Sequence, residues 1–247
     1  MTFGAAALTT PGVFAQALTE TAATTEGPFY PDHMPLDTDN DLLLLNDGIS
    51  PAVGEITHLS GRLLGETGEP IRNAFIEIWQ TDFNGSYLHT EGRNEIGFDG
   101  NFQGYGRFLT DSLGRYYFRT IKPVEYTLLG MHRAPHIHFA VSKGGSRVLT
   151  TQTLVKDHPA NENDGIVRQL KDPAALASIL VDYQPLPGSS FGELAASFDI
   201  VLGRTAVEIE EDGVGRLAPA QRGRGGFGGG GRFGGGFGGG RFGGGDR

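Results

Sequence analysis

Short stretches in which apolar and polar residues alternate dominate this chain, and they predict strands. Ile56 to Leu64 is the first, closed by the turn Gly65-Glu66-Thr67-Gly68-Glu69-Pro70. Ala74 to Gln80 alternates, with Ala74, Ile76 and Ile78 on one face and Phe75, Glu77 and Trp79 on the other. Phe108 to Thr110, the turn Asp111-Ser112-Leu113-Gly114, and Arg115 to Thr120 predict a hairpin. Lys122 to Ala134 reads as a loop. It leads into Pro135-His136-Ile137-His138-Phe139, a strand expected to pair with Arg147 to Val155. Asp172-Pro173 followed by Ala174 to Tyr183 predicts a helix, with Asp172 as its cap and proline in its first turn. Ser197 to Leu202 reads as a last buried strand. Short strands, long loops and one helix predict an all-β fold, a β-sandwich or partly open barrel.

Composition changes the picture at the two ends. From Arg222 onward glycine, arginine and four phenylalanines (Phe227, Phe233, Phe237 and Phe242) alternate in a low-complexity tail, expected to be disordered. The tail resembles Arg-Gly-Gly segments that bind RNA, but a flexible, weakly adhesive tail is the preferred reading. It is basic while the whole chain carries −9, so the body is acidic and nucleic acid is not its expected partner. Thr2 to Ala17 is small and apolar, like the core of a secretory signal, but no Lys or Arg precedes Arg62. Export and a cytoplasmic location both stay open. No stretch is long and apolar enough to span a membrane. The expected organisation is a leader at 1–24, a β-sandwich at 25–210 and a flexible tail at 211–247.

Candidate chemistry centres on the histidine strand. Residues two apart on a strand share a face, so His136 and His138 point the same way with Cα atoms about 6.6 Å apart. The pair could grip a metal; it would equally suit a plain half-buried strand. With no cysteine in the chain, any metal must be held by nitrogen and oxygen ligands. Fe(III), a hard cation, favours phenolate oxygen beside imidazole. Tyr126 precedes the histidine strand and Tyr87 follows the Trp79 strand; each could also be a ring packed at a strand end.

Five stretches carry a family resemblance. They are Ile76-Glu77-Ile78-Trp79-Gln80-Thr81-Asp82, Gly85-Ser86-Tyr87, Phe102 to Asp111, Phe118 to Pro123, and Arg133-Ala134-Pro135-His136-Ile137-His138-Phe139. In this order, from about Thr25 to Arg204, the sequence resembles the intradiol ring-cleavage dioxygenases, most closely the protocatechuate 3,4-dioxygenase subunits. The resemblance implies a non-haem Fe(III) bound by Tyr87, Tyr126, His136 and His138. It also implies insertion of both atoms of O2 into a catechol-type aromatic, giving a cis,cis-muconate-type product. Arg133 matches the arginine that stabilises charge on the ring, Gln152 the family glutamine nearby, and Tyr126 the ligand that leaves the metal to take a proton. Gly27-Pro28-Phe29-Tyr30 resembles an element lining the pocket, which makes Tyr30 a candidate substrate contact. Where the family often has Pro-Trp after the second tyrosine, Thr127-Leu128 stands here, so a more aliphatic wall including Leu128 is expected.

His132 is a weaker candidate for substrate contact, and His33, His58, His89 and His158 are expected to face solvent. A homo-oligomer is the expected assembly. The competing readings are a non-catalytic β-sandwich binding module, a zinc or copper protein using only the two histidines, and an RNA-associated protein working through its tail.

Overall fold

A computed structural model describes residues 18–35, 37–45 and 50–203. The signal-like stretch through Ala17 and the tail from Arg222 lie outside them. Twelve strands are named here in chain order: β1 (Ile56–Leu64), β2 (Phe75–Trp79), β3 (Tyr105–Leu109), β4 (Arg115–Ile121), β5 (Tyr126–Leu128), β6 (Met131–Arg133), β7 (His136–Lys143), β8 (Ser146–Val155), β9 (Leu180–Val181), β10 (Tyr183–Pro185), β11 (Leu194–Ser197) and β12 (Ile200–Val201). Between β8 and β9 come the short helices α1 (Gly165–Gln169) and α2 (Pro173–Ala177).

One sheet runs β10-β11-β1-β12, with β4 also on β1; the other runs β3-β2-β7-β8-β9; β5 and β6 form a separate ribbon. The all-β sandwich expected from the pattern is the observed architecture. Its main core fills the space between the sheets with Leu59, Leu63 and Phe118 from one side and Ile76, Ile78, Ile137, Phe139 and Val141 from the other. Each fully buried aromatic or aliphatic side chain of this kind contributes roughly 1.5–3 kcal/mol.

Strand β7 is buried on both faces from His136 to Val141. The chain's own N-terminal segment ties the two sheets together, with Thr21 N–H donating to Val201 O of β12 at 3.0 Å, Thr24 N–H to Thr150 O of β8 at 2.9 Å, and the Thr151 hydroxyl to Ala22 O at 2.6 Å. Further along, Gly27 lies against His138 on the second face of β7.

Several local expectations are corrected. The Asp111–Gly114 turn forms, with Asp111 Oδ1 accepting from the Leu113 and Arg115 amides, but it does not close a hairpin. β3 pairs with β2, whereas β4 pairs with β1 in the opposite sheet. The Phe108 and Phe118 rings meet edge-on with centroids 6.3 Å apart. The Lys122–Ala134 loop contains the β5–β6 hairpin. Its two turn residues, Leu129 (φ 51°) and Gly130 (φ 75°), are both left-handed, the type I′ geometry that suits strand twist. Leucine gives no turn signal, so the hairpin was invisible.

The helix expected to reach Tyr183 stops at Ala177. The Asp172 cap holds, accepting from the Ala174 amide at 2.9 Å, but Leu180 and Val181 are drawn into pairing with Leu154 and Val155. The expected strand at Ser197 to Leu202 is two short ones, β11 and β12. The chain kinks at Phe198, whose carbonyl passes so close to Gly61 that any Cβ there would collide with it.

Candidate metal centre

The outer face of the second sheet carries one cross-strand row of four side chains: Tyr105 opposite Trp79, Trp79 opposite His138, and His138 opposite Gln152. His136 stands on the same face one pleat away. The β5–β6 hairpin folds over this face and pairs Tyr126 with Arg133.

Tyr87 arrives from the loop after β2, and Asp82 organises that loop. Its Oδ1 accepts from the Asn84 and Ser86 amides, both at 2.9 Å, and its Oδ2 accepts from the Asp99 amide at 2.6 Å. Gly85 (φ 80°) sits where a Cβ would come within 2.9 Å of Tyr126 Cβ, so its bare backbone lets the two tyrosine loops close on each other.

The four polar tips meet. Tyr87 OH lies 3.1 Å from Tyr126 OH, 3.1 Å from His136 Nε2 and 3.2 Å from His138 Nε2. His136 Nε2 is 3.2 Å from His138 Nε2 and 3.4 Å from Tyr126 OH. His136 Nδ1 donates to Ala134 O at 2.6 Å, which leaves its Nε2 as a bare lone pair directed at the cluster. His138 stacks on Trp79.

Burial, with Arg133 adding to it, pushes the His136 imidazole down to about 3. Burial, His136 and Arg133 hold His138 well below its ordinary value. Both rings are therefore neutral. Burial and the neighbouring Tyr126 push the Tyr87 phenol up. Burial also raises Tyr126, partly offset by the Tyr87 hydrogen bond and the charge of Arg133. The protein alone makes neither phenolate; a cation at the meeting point would. Four converging nitrogen and oxygen donors, free of sulfur, fit a hard ion. Among the described residues no group of three or more His, Asp or Glu could hold a metal; at this point a ligand set would need tyrosine oxygen.

Arg133 reaches this face with its Nη2 donating to Gln152 Oε1 at 3.2 Å. Its Nε donates to the fully buried Asp164 at 2.9 Å, a partner with no signal in the sequence beyond helix-cap chemistry. Burial alone would raise the Asp164 carboxyl, but Arg133 and two backbone amides hold it below the ordinary range. Gln152 Nε2, Trp79 Nε1 and His138 Nδ1 are buried without a hydrogen-bond partner.

The Gly27–Tyr30 segment lies against the cluster. A Cβ on Gly27 would sit 3.4 Å from His138 Cε1, the Phe29 ring is 5.1 Å from Tyr87, and Tyr30 meets Trp79 edge-on at 5.0 Å. Tyr30 OH donates to Glu77 at 3.1 Å, and Glu77 also takes Tyr105 OH and the guanidinium of Arg147. Gly27 and Phe29 belong to the segment expected to line the pocket, whereas Asp164 is a neighbour of the site that the sequence did not single out. Leu128 is buried beside Tyr126. His132 lies on the exposed side of the hairpin, its Nδ1 3.1 Å from the Thr127 hydroxyl. His58, expected at the surface, is half-buried with Nδ1 2.6 Å from Tyr117 OH.

Fold and site together define a β-sandwich protein with a buried nitrogen–oxygen donor cluster on one sheet face. Residues 25–203 match the family described as Dioxygenase. The protocatechuate 3,4-dioxygenase beta chain of Burkholderia cepacia is 38% identical over 184 residues, 71% of this chain and 76% of that one. Catechol 1,2-dioxygenase 2 of Acinetobacter lwoffii is 35% identical over 153 residues, 56% of this chain and 52% of that one. The solved dioxygenase domain of a dioxygenase carbohydrate-binding protein fusion from Streptomyces sp. SirexAA-E superposes with a TM-score of 0.54 at 26% identity, covering 74% of this chain and 98% of that one. The chain belongs to the intradiol ring-cleavage dioxygenase family. Membership implies a non-haem iron cofactor.

Proposed function

We propose that this protein is an intradiol dioxygenase that opens catechol-type rings, including protocatechuate, with both atoms of O2 entering the product. The observation that carries the reading is the convergence of Tyr87, Tyr126, His136 and His138 on one buried point, with Arg133 and Gln152 beside it. These four would hold Fe(III), which supplies Lewis acidity toward a catecholate. The two tyrosines have different settings. Tyr87 is fully enclosed and backed by Phe29, which keeps it in place. Tyr126 begins a short ribbon and makes the longest contact of the cluster, 3.4 Å to His136. These settings agree with the role that family membership implies for Tyr126: held as a phenolate by the metal, it would be the ligand to swing away and accept a proton from a catechol hydroxyl.

Arg133 supplies fixed positive charge where a ring dianion would sit, and the unpartnered Gln152 amide offers a donor on the same face. Trp79 and Leu128 keep water from the centre. Leu128 forms an aliphatic pocket wall, and Tyr30 acts on the pocket from behind Trp79, its hydroxyl anchored on Glu77.

Incubation of iron-loaded protein with protocatechuate or catechol under ¹⁸O2 tests the reading. The expected product is a ring-opened cis,cis-diacid carrying both labelled atoms. No oxygen uptake with either substrate, or cleavage outside the diol, would overturn it.

A further inference from the structure

Asp164 lies between a short 3₁₀ turn and α1, away from the histidine strand in sequence, yet its side chain is fully enclosed beside the centre. Its two oxygens make three bonds. Oδ1 accepts from the Ile166 amide at 2.8 Å, which caps α1. Oδ2 accepts both from Arg133 Nε at 2.9 Å and from the Ala134 amide at 3.0 Å. The carbonyl of the same Ala134 accepts from His136 Nδ1. One buried carboxylate thus ties the guanidinium to the residue whose carbonyl orients the first histidine, and Gln152 holds the guanidinium from its other side.

We propose that Asp164 is the positioning residue of this centre, fixing the direction of the Arg133 guanidinium relative to His136. The inference rests on the dioxygenase reading. An arginine has several freely turning bonds, so its charge reaches a chosen point only if the planar fork is held at two places. Nε on Asp164 and Nη2 on Gln152 are those places. Asp164 touches neither the four donor atoms nor the face where a substrate would bind. Its effect passes through Arg133, and the Ala134 carbonyl that orients His136 survives its replacement.

The test is a double-mutant cycle on iron-loaded protein, using Asp164→Asn, Asp164→Ser, Arg133→Ala and the combinations. Serine keeps a hydroxyl cap for Ile166 but is too short for Arg133, so it serves if the asparagine variant does not fold. The expected result is a kcat about 10–100-fold lower for each Asp164 variant. KM changes little, and iron content and the visible tyrosinate absorption stay as in the parent. In the Arg133→Ala background, Asp164 replacement lowers kcat no further. Undiminished kcat, a loss that adds fully to that of Arg133→Ala, or failure of both variants to fold would overturn the inference. An inactive parent protein would instead remove the dioxygenase reading beneath it.

Discussion

The imidazole of His138 lies flat on the indole of Trp79, with centroids 4.8 Å apart and planes within 4°. His136 is oriented by a hydrogen bond to Ala134, whereas His138 Nδ1 is buried without one. Stacking is what aims His138. Trp79→Leu should therefore weaken iron retention about tenfold or more. It should also cost about 3 kcal/mol of stability, because a fully buried indole is lost. Chelator competition and urea unfolding measure the two effects. Unchanged iron retention would show that the stack does not aim the ring.

Gly27 lies beside the same histidine. It has φ 73°, and a Cβ there would sit 3.4 Å from His138 Cε1. Gly27→Ala should cost roughly 1–2 kcal/mol from backbone strain and also loosen iron. Gly97, at φ 86° with nothing within 4 Å, is the control. Gly97→Ala should show comparable strain with iron retention unchanged. Equal iron loss in both variants would contradict contact with His138.

Tyr116 sets an alkaline limit. Burial, with Asp199 adding to it, raises its phenol well above the ordinary value, and its hydroxyl donates to Phe198 O. The folded pKa exceeds the unfolded one. Its contribution is thus fully present below about pH 10 and declines as pH rises above that, where only the unfolded chain ionises. Tyr105 and Tyr183 are raised by burial in the same direction. Urea unfolding between about pH 8 and 11 should show stability falling at the alkaline end. The fall should be shallower in Tyr116→Phe, which also loses about 1–3 kcal/mol at neutral pH by stranding the Phe198 carbonyl. An identical slope in the variant would contradict the assignment.

The parts of the molecule legible in the sequence are those governed by local rules. Ile76 and Ile78 face the core while Trp79 faces the centre, as strand alternation requires, and His136 and His138 share a face for the same reason. The Asp172 cap and the Asp111 turn were legible because short polar side chains bond their own backbone there. What stayed hidden depends on distant partners. Nothing near Asp111 tells that β3 and β4 enter opposite sheets; that choice belongs to β1 and β2. Leu180 and Val181 leave the helical register because β8 offers an open edge. Asp164 looks like an ordinary cap until the fold brings Arg133 to it. Of the centre itself, the ligand candidates and the Gly27–Tyr30 segment were legible through family motifs, and the Asp164 carboxylate that holds Arg133 was not.

The most direct test of the account is the visible absorption of iron-loaded protein, recorded before and after a catechol is added without oxygen. Phenolate donation by Tyr87 and Tyr126 to Fe(III) predicts a broad visible band that shifts to lower energy with the catechol and is weakened or lost in Tyr87→Phe. A protein that holds one iron per chain with no visible band, or a band untouched by Tyr87→Phe, would contradict the four-residue centre.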